Sequence, residues 1–295
     1  MSVNWATRKG PGAPMGIVFK PSSHHFQLRG VTSRLAEIIN KRPLAICLQG
    51  KSIQELEDRI QEFREYDICW GAMNRFDIYQ KYILDKIDKK LSIVMDVGEV
   101  EYAEDYEKQI RIPRWKDYLL NPDSLLITSV EILENIKLIS GWNIIEEHQN
   151  QLIMIEECRK IRVPNSIMLY LMILAKLKVN KIILFGFDGF GNPKAFKDTP
   201  VWSGKELEYE HEKKSLEAYY KQESVLEERR VGYHSDSRSD LHSNCPTFND
   251  QFWATYTLYC SENNLSVPEI INCSPKALYT VFRKVDYALV KGELR

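Results

Sequence analysis

From residue 43 onward the chain alternates between continuous apolar runs and stretches with the i, i+3, i+4 spacing of an amphipathic helix. PLAICLQG (43–50) reads as a buried strand and SIQELEDRIQEF (52–63) as a helix. DICWGAMN (67–74) and LSIVMDVG (91–98) repeat the strand pattern, with the helical RFDIYQKYILDKI (75–87) between them. After a polar stretch with two prolines, DSLLITS (123–129) predicts a fourth strand and VEILENIKLI (130–139) a helix. PNSIMLYLMILAKLKV (164–179) is apolar on nearly every side, the pattern of a helix buried all round. It feeds KIILFGFDGFG (181–191), a strand that a right-handed crossover places near the sheet centre. TFNDQFWATYTLYCSEN (247–263) then predicts a helix, EIINCS (269–274) a strand, and the chain from about Lys276 a closing helix.

Strands built of unbroken apolar residues fit a sheet covered on both faces, and the intervening helices supply the cover. The predicted fold is α/β: a Rossmann-like, mostly parallel sheet sandwiched by helices. Residues 1–40, rich in Pro and Gly to residue 16 and helical from Thr32 to Asn40, are set aside as an N-terminal extension. Residues 41–295 then form one nucleotide-binding transferase domain. The rhythm breaks at 203–246, where a charged, helix-favouring segment (203–230) runs into the polar loop GYHSDSRSDLHSNCP (232–246). This insertion reads as a solvated surface helix or a lid, and it also offers a subunit interface or a membrane contact.

At 295 residues, 44% hydrophobic and 27% charged with a net charge of −1, the chain has the composition of an ordinary globular protein. That balance argues against nucleic acid as the partner. The stretch MSVNWATRKGPGAPMG has no apolar run behind its basic pair, and Ile167–Leu177 is too short to span a bilayer. The expected setting is cytoplasmic, with peripheral membrane contact and a homo-oligomer left open. The six cysteines show no CxxC spacing, and Cys47, Cys69 and Cys273 sit in apolar runs, so buried reduced thiols are expected and no metal site.

Ligands of open α/β sheets bind outside the carboxyl ends of the strands. Standing there are Gly50, Lys51 and Ser52; Asn74 and Arg75; Asp96 and Glu99; Thr128 and Ser129; Asp188; and Ser274 before Pro275. Gly50-Lys51-Ser52 is not a P-loop, because Ala45 occupies the position of its first glycine. Ser52 with Glu55 completes a capping box, a structural role that competes with phosphate binding. Asp188 suits a strand-end turn as well as a ligand. In the 232–246 loop His234, Asp236, Asp240 and His242 match no metal cage, and a histidine general base suits that loop better.

The order of these motifs resembles the bacterial sialyltransferases that build lipooligosaccharide and a wider α/β family around them. That family includes motility-associated glycosyltransferases and the archaeal 6-hydroxymethyldihydropterin pyrophosphokinase. The features that carry the resemblance are Gln49-Gly50-Lys51-Ser52, Asn74 before an aromatic helix start, Ser166 before the apolar helix, and Gly186-Phe187-Asp188. His242-Ser243 ahead of Phe252-Trp253, and the closing NCSP turn at 272–275, complete the series over roughly residues 43–285. Lys51 replaces the proline of the family's first turn.

The resemblance implies a transferase moving a sugar from a nucleotide-activated donor, a CMP-sialic-acid-like compound among the candidates, to a glycan or other hydroxyl acceptor. It implies that Gly50, Lys51, Ser52, Asn74, Ser166 and Asp188 hold the nucleotide and that His242 deprotonates the acceptor. Tyr219, Tyr220 and Tyr233 are its candidates for offsetting the leaving phosphate without a metal. The donor is a substrate, and no tightly bound cofactor is implied. The pyrophosphokinase branch implies ATP and Mg²⁺ instead, with Asp188 as metal ligand. A binding protein that keeps the fold without the chemistry is the third alternative.

Overall fold

The computed structural model describes residues 26–39, 42–48, 52–74, 76–97, 107–156, 166–187, 245–274 and 282–294, with the side chains of 245–252 outside that description. Among the described residues nine strands form one sheet in the order β1-β6-β5-β4-β3-β2-β7-β8-β9. They are β1 (Leu28–Gly30), β2 (Leu44–Cys47), β3 (Cys69–Met73), β4 (Leu91–Met95), β5 (Leu125–Ser129), β6 (Leu152–Ile155), β7 (Lys181–Phe185), β8 (Glu269–Asn272) and β9 (Arg283–Lys284). All neighbours are parallel except β1, which runs antiparallel to β6.

The unbroken apolar strands have the cause the sequence suggests: each face of the sheet is buried under helices. In β2, Ala45 and Cys47 face one layer while Leu44 and Ile46 face the other, and all four are buried. The first layer contains α2 (Ile53–Arg59), α3 (Phe76–Tyr82), α4 (Ile112–Leu119), α5 (Val130–Ser140) and the short α6 (Ile144–Glu147). The second contains α1 (Thr32–Ile39), α7 (Ser166–Lys176) and α8 (Cys245–Glu262). The architecture is therefore α/β, a mostly parallel sheet flanked by helices.

Helix α7 is apolar all round because every residue from Ile167 to Ala175 is buried. Each such large side chain contributes roughly 1.5–3 kcal/mol, which outweighs the weak amphipathic signal of the segment. The helix carries the chain from β6 across to β7, an interior strand paired on one side with β2 and on the other with β8.

Several elements differ from the sequence reading. The helices at 52–63 and 75–87 each tighten into 3₁₀ turns, Ile60–Phe63 and Leu84–Ile87, and the second stops at left-handed Asp88. β1 and α1 lie within the stretch set aside as an extension, yet β1 hydrogen-bonds to β6 and Leu35 of α1 is buried. The closing helix from Lys276 is corrected for residues 282–294, which form β9 and a 3₁₀ turn, Val290–Leu294. The reason is alternation: Phe282 packs into one layer, Val285 and Tyr287 into the other, and Arg283 points out to Glu269 and Glu293. The insertion at 203–246 falls outside the described residues except for the backbone of 245–246.

Candidate functional site: the carboxyl edge of the sheet

Strand order reverses at β2, whose next strand in sequence, β3, lies on one side while β7 lies on the other. Helix α2, which follows β2, packs in the first layer, whereas α8, the next described helix after β7, packs in the second. In open α/β sheets the crevice that takes ligands lies at the carboxyl ends of the strands where the order reverses. Gly186 makes the close approach of those ends feasible. Its φ is +73°, and a Cβ there would collide with the Leu48 carbonyl.

Ser52 stands just past β2, at this reversal of strand order, and its role is corrected. It does not cap α2; its backbone is helical and its side chain makes no cap bond. Its hydroxyl instead lies 2.7 Å from that of Ser274, and its carbonyl accepts a 3.0 Å hydrogen bond from the Tyr287 hydroxyl. Ser274 is placed by Asn272, which is fully buried at the end of β8. The Asn272 side chain accepts from the Ser274 N–H at 3.0 Å and donates to the Phe187 carbonyl at 3.0 Å. One amide thus joins the ends of β7 and β8, and two hydroxyls converge on Ser52.

The neighbouring part of the edge is more heavily charged. Asn74, just past β3, has φ +53°, a left-handed conformation that asparagine tolerates better than other side chains. Its N–H donates to the Met95 carbonyl at 2.8 Å and its carbonyl accepts from Phe76, so the turn accounts for an asparagine here. Its Oδ1 is buried with no hydrogen-bond partner among the described residues.

Asp96, just past β4, accepts from the Trp115 indole N–H at 2.9 Å and lies 3.4 Å from the Arg111 guanidinium. Thr128, at the end of β5, donates to the Asp96 carbonyl at 2.7 Å. Arg111 in turn donates to Glu107 Oε1 at 2.5 Å, and Glu107 Oε2 is buried without a hydrogen-bond partner among the described residues. Burial pushes the Glu107 carboxyl above its usual range, with Asp96 adding to the effect and Arg111 opposing it. Leaving such an atom unsatisfied costs roughly 1–3 kcal/mol. Glu107 and Arg111 bound a π turn, Glu107–Arg111, that runs directly into α4. A second ion pair, Arg114 with Asp77 at 2.6 Å, ties α4 to the first turn of α3.

Of the residues named from sequence, Ser52 and Asn74 stand on this edge, as do Asp96, Thr128, Ser129 and Ser274. Ser166 begins α7 and is half-buried. Gly50, Lys51, Asp188, Tyr219, Tyr220, Tyr233 and His242 lie outside the described residues. Glu107, Arg111 and Tyr287 were not singled out. Glu107 and Arg111 lie in the polar stretch before the fourth predicted strand, and the ion pairs of Arg111 with Glu107 and Asp96 distinguish them from solvated charges.

Cys47, Cys69, Cys260 and Cys273 are buried free thiols, matching the expectation for Cys47, Cys69 and Cys273 in their apolar runs. Among the described residues no three His, Cys, Asp or Glu side chains gather as a metal cage, and no helix is long and apolar enough to cross a membrane. No family model, curated protein or solved structure matches the chain.

Proposed function

We propose that the carboxyl edge around Ser52 binds a nucleotide-activated sugar and that the protein is a glycosyltransferase of Rossmann-like type. The observation that carries the reading is the contact between Ser52 and Ser274 at the strand-order reversal between β2 and β7. Two hydroxyls drawn together at such a crevice, with the backbone behind them fixed by Asn272 and Tyr287, suit a phosphate oxygen, which accepts hydrogen bonds from hydroxyls. The motif order seen in the sequence supports the same choice of ligand. In this reading Gly50, Lys51 and Ser52 meet the phosphates, and Ser274 acts through Ser52 as a positioning residue. His242 deprotonates the acceptor hydroxyl.

A thermal-shift panel of CMP, UDP, GDP, ATP and CMP-sialic acid, with and without Mg²⁺, tests this. A rise in melting temperature with a nucleotide or its sugar conjugate, independent of Mg²⁺, is the expected result. A rise only with ATP and Mg²⁺ would replace the reading with phosphoryl-type transfer, and no shift at all would remove it.

A further inference from the structure

The β4–α4 connection presents an arrangement that the Ser52 contact does not use. Glu107 is 4% exposed, yet Arg111 occupies only its Oε1, and Oε2 is left with no hydrogen-bond partner among the described residues. The carboxyl is held in place. Arg111 is fixed by Asp96 at the end of β4, and the turn is pinned again by Arg114 on Asp77. The π turn that begins at Glu107 is a rare backbone form, frequent at functional sites.

Asn74, whose N–H bonds the residue preceding Asp96, offers a second buried acceptor, Oδ1, also without a partner among the described residues. Two pre-set acceptors, one a carboxylate and one an amide oxygen, call for a ligand rich in neutral hydrogen-bond donors. Sugar hydroxyls are such donors, and an acidic side chain past a strand end is a known way to hold ribose hydroxyls.

We propose that Glu107 and Asn74 form a sugar-hydroxyl subsite past the ends of β4 and β3, distinct from the Ser52–Ser274 contact at β2 and β8. The inference rests on the nucleotide-sugar reading of this edge. The hydroxyls belong either to the ribose of the nucleotide or to the sugar it carries, and both sources present the same chemistry. Arg111 and Asp96 are positioning residues that act through Glu107.

Calorimetric titration of wild type, Glu107→Gln and Asn74→Gly with CMP, ATP, their 2′,3′-dideoxy counterparts and CMP-sialic acid tests it. Glutamine keeps an acceptor for Arg111 but puts an N–H donor where Oε2 stood, and glycine keeps the left-handed turn of Asn74. If ribose is read, Glu107→Gln weakens the ribonucleotide about tenfold and leaves its dideoxy form unchanged. If the carried sugar is read, CMP is unaffected and CMP-sialic acid weakens about tenfold. Asn74→Gly shows the same selectivity with a loss of about threefold, as befits a neutral acceptor. Equal weakening of every probe, or of none, overturns the subsite while leaving nucleotide binding standing. Absence of binding to wild type by all the probes overturns both.

Discussion

Replacing Arg111 with methionine keeps most of the side chain's apolar volume and removes the guanidinium between Asp96 and Glu107. The side chains of Arg111, Asp96 and Glu107 are 2%, 4% and 6% exposed, so water does little to screen the carboxylates left behind. Breaking a buried pair by removing one partner costs about 3–5 kcal/mol, against about 0–1 kcal/mol for an exposed pair. The guanidinium also lies 5.9 Å from the buried Trp115 ring, a desolvated contact worth roughly another 2 kcal/mol. Against a usual total stability of about 5–15 kcal/mol, the variant loses a large share and still has a measurable fold. Urea unfolding followed by tryptophan fluorescence at pH 7 and pH 5 reads the effect. The loss should shrink at the lower pH, because without Arg111 the Glu107 proton is held more tightly in the folded state. Arg111→Met combined with Glu107→Gln should be more stable than Arg111→Met alone, since one stranded charge is gone. A loss under about 1 kcal/mol at pH 7, or one that does not change with pH, would refute a buried charge cluster at this edge.

The pH dependence has opposing parts. A carboxyl whose folded value is raised, as at Glu107, gives stability that is full below its unfolded value of about 4.3 and is lost as pH climbs through the folded value. Glu107→Gln should therefore gain on wild type as pH rises above about 4.3, in parallel melts across pH 4–8, and a constant difference would contradict the raised value. Glu293, hydrogen-bonded by Arg283 and then Lys181, and Glu62, bonded by Arg59 and then Lys291, are held down at about 2. Their contributions are present above about 4.3 and fade as pH falls toward 2. Asn272→Ala removes the acceptor of the Ser274 N–H and the donor to the Phe187 carbonyl and should cost about 1–3 kcal/mol in urea unfolding. An unchanged midpoint would show that another group fixes that turn. Cys69 and Cys273, with thiols pushed up to about 12 by burial, should resist iodoacetamide at pH 8 until the chain unfolds.

The strands and the central crossover were legible because burial on two faces leaves no polar position to interrupt the run, as in β2 and in α7. β1 was missed for want of length and apolar content: LRG is a three-residue edge strand whose last two residues are exposed. The π turn and α4 were missed for a different reason. Glu107, Arg111 and Arg114 are buried but charged, so their partners, and not their own polarity, decide their place. The same limit applies to the candidate site. Ser52, Asn74 and Ser274 could be named because they follow apolar runs, but the bond from Ser52 to Ser274 spans 222 residues. The capping box of Ser52 and Glu55 is the sharpest example. Its local spacing is right, and a distant hydroxyl takes the side chain instead.

The central claim is that Ser52, held by Ser274, meets the phosphate of a nucleotide. Its most direct measurement is calorimetric titration of wild type and Ser52→Ala with the nucleotide that gives the largest thermal shift. Losing one hydroxyl bond to a charged oxygen should weaken binding about tenfold or more, alongside a lower melting temperature of the unliganded protein because the buried Ser274 hydroxyl loses its partner. Binding by Ser52→Ala at wild-type affinity would contradict the claim.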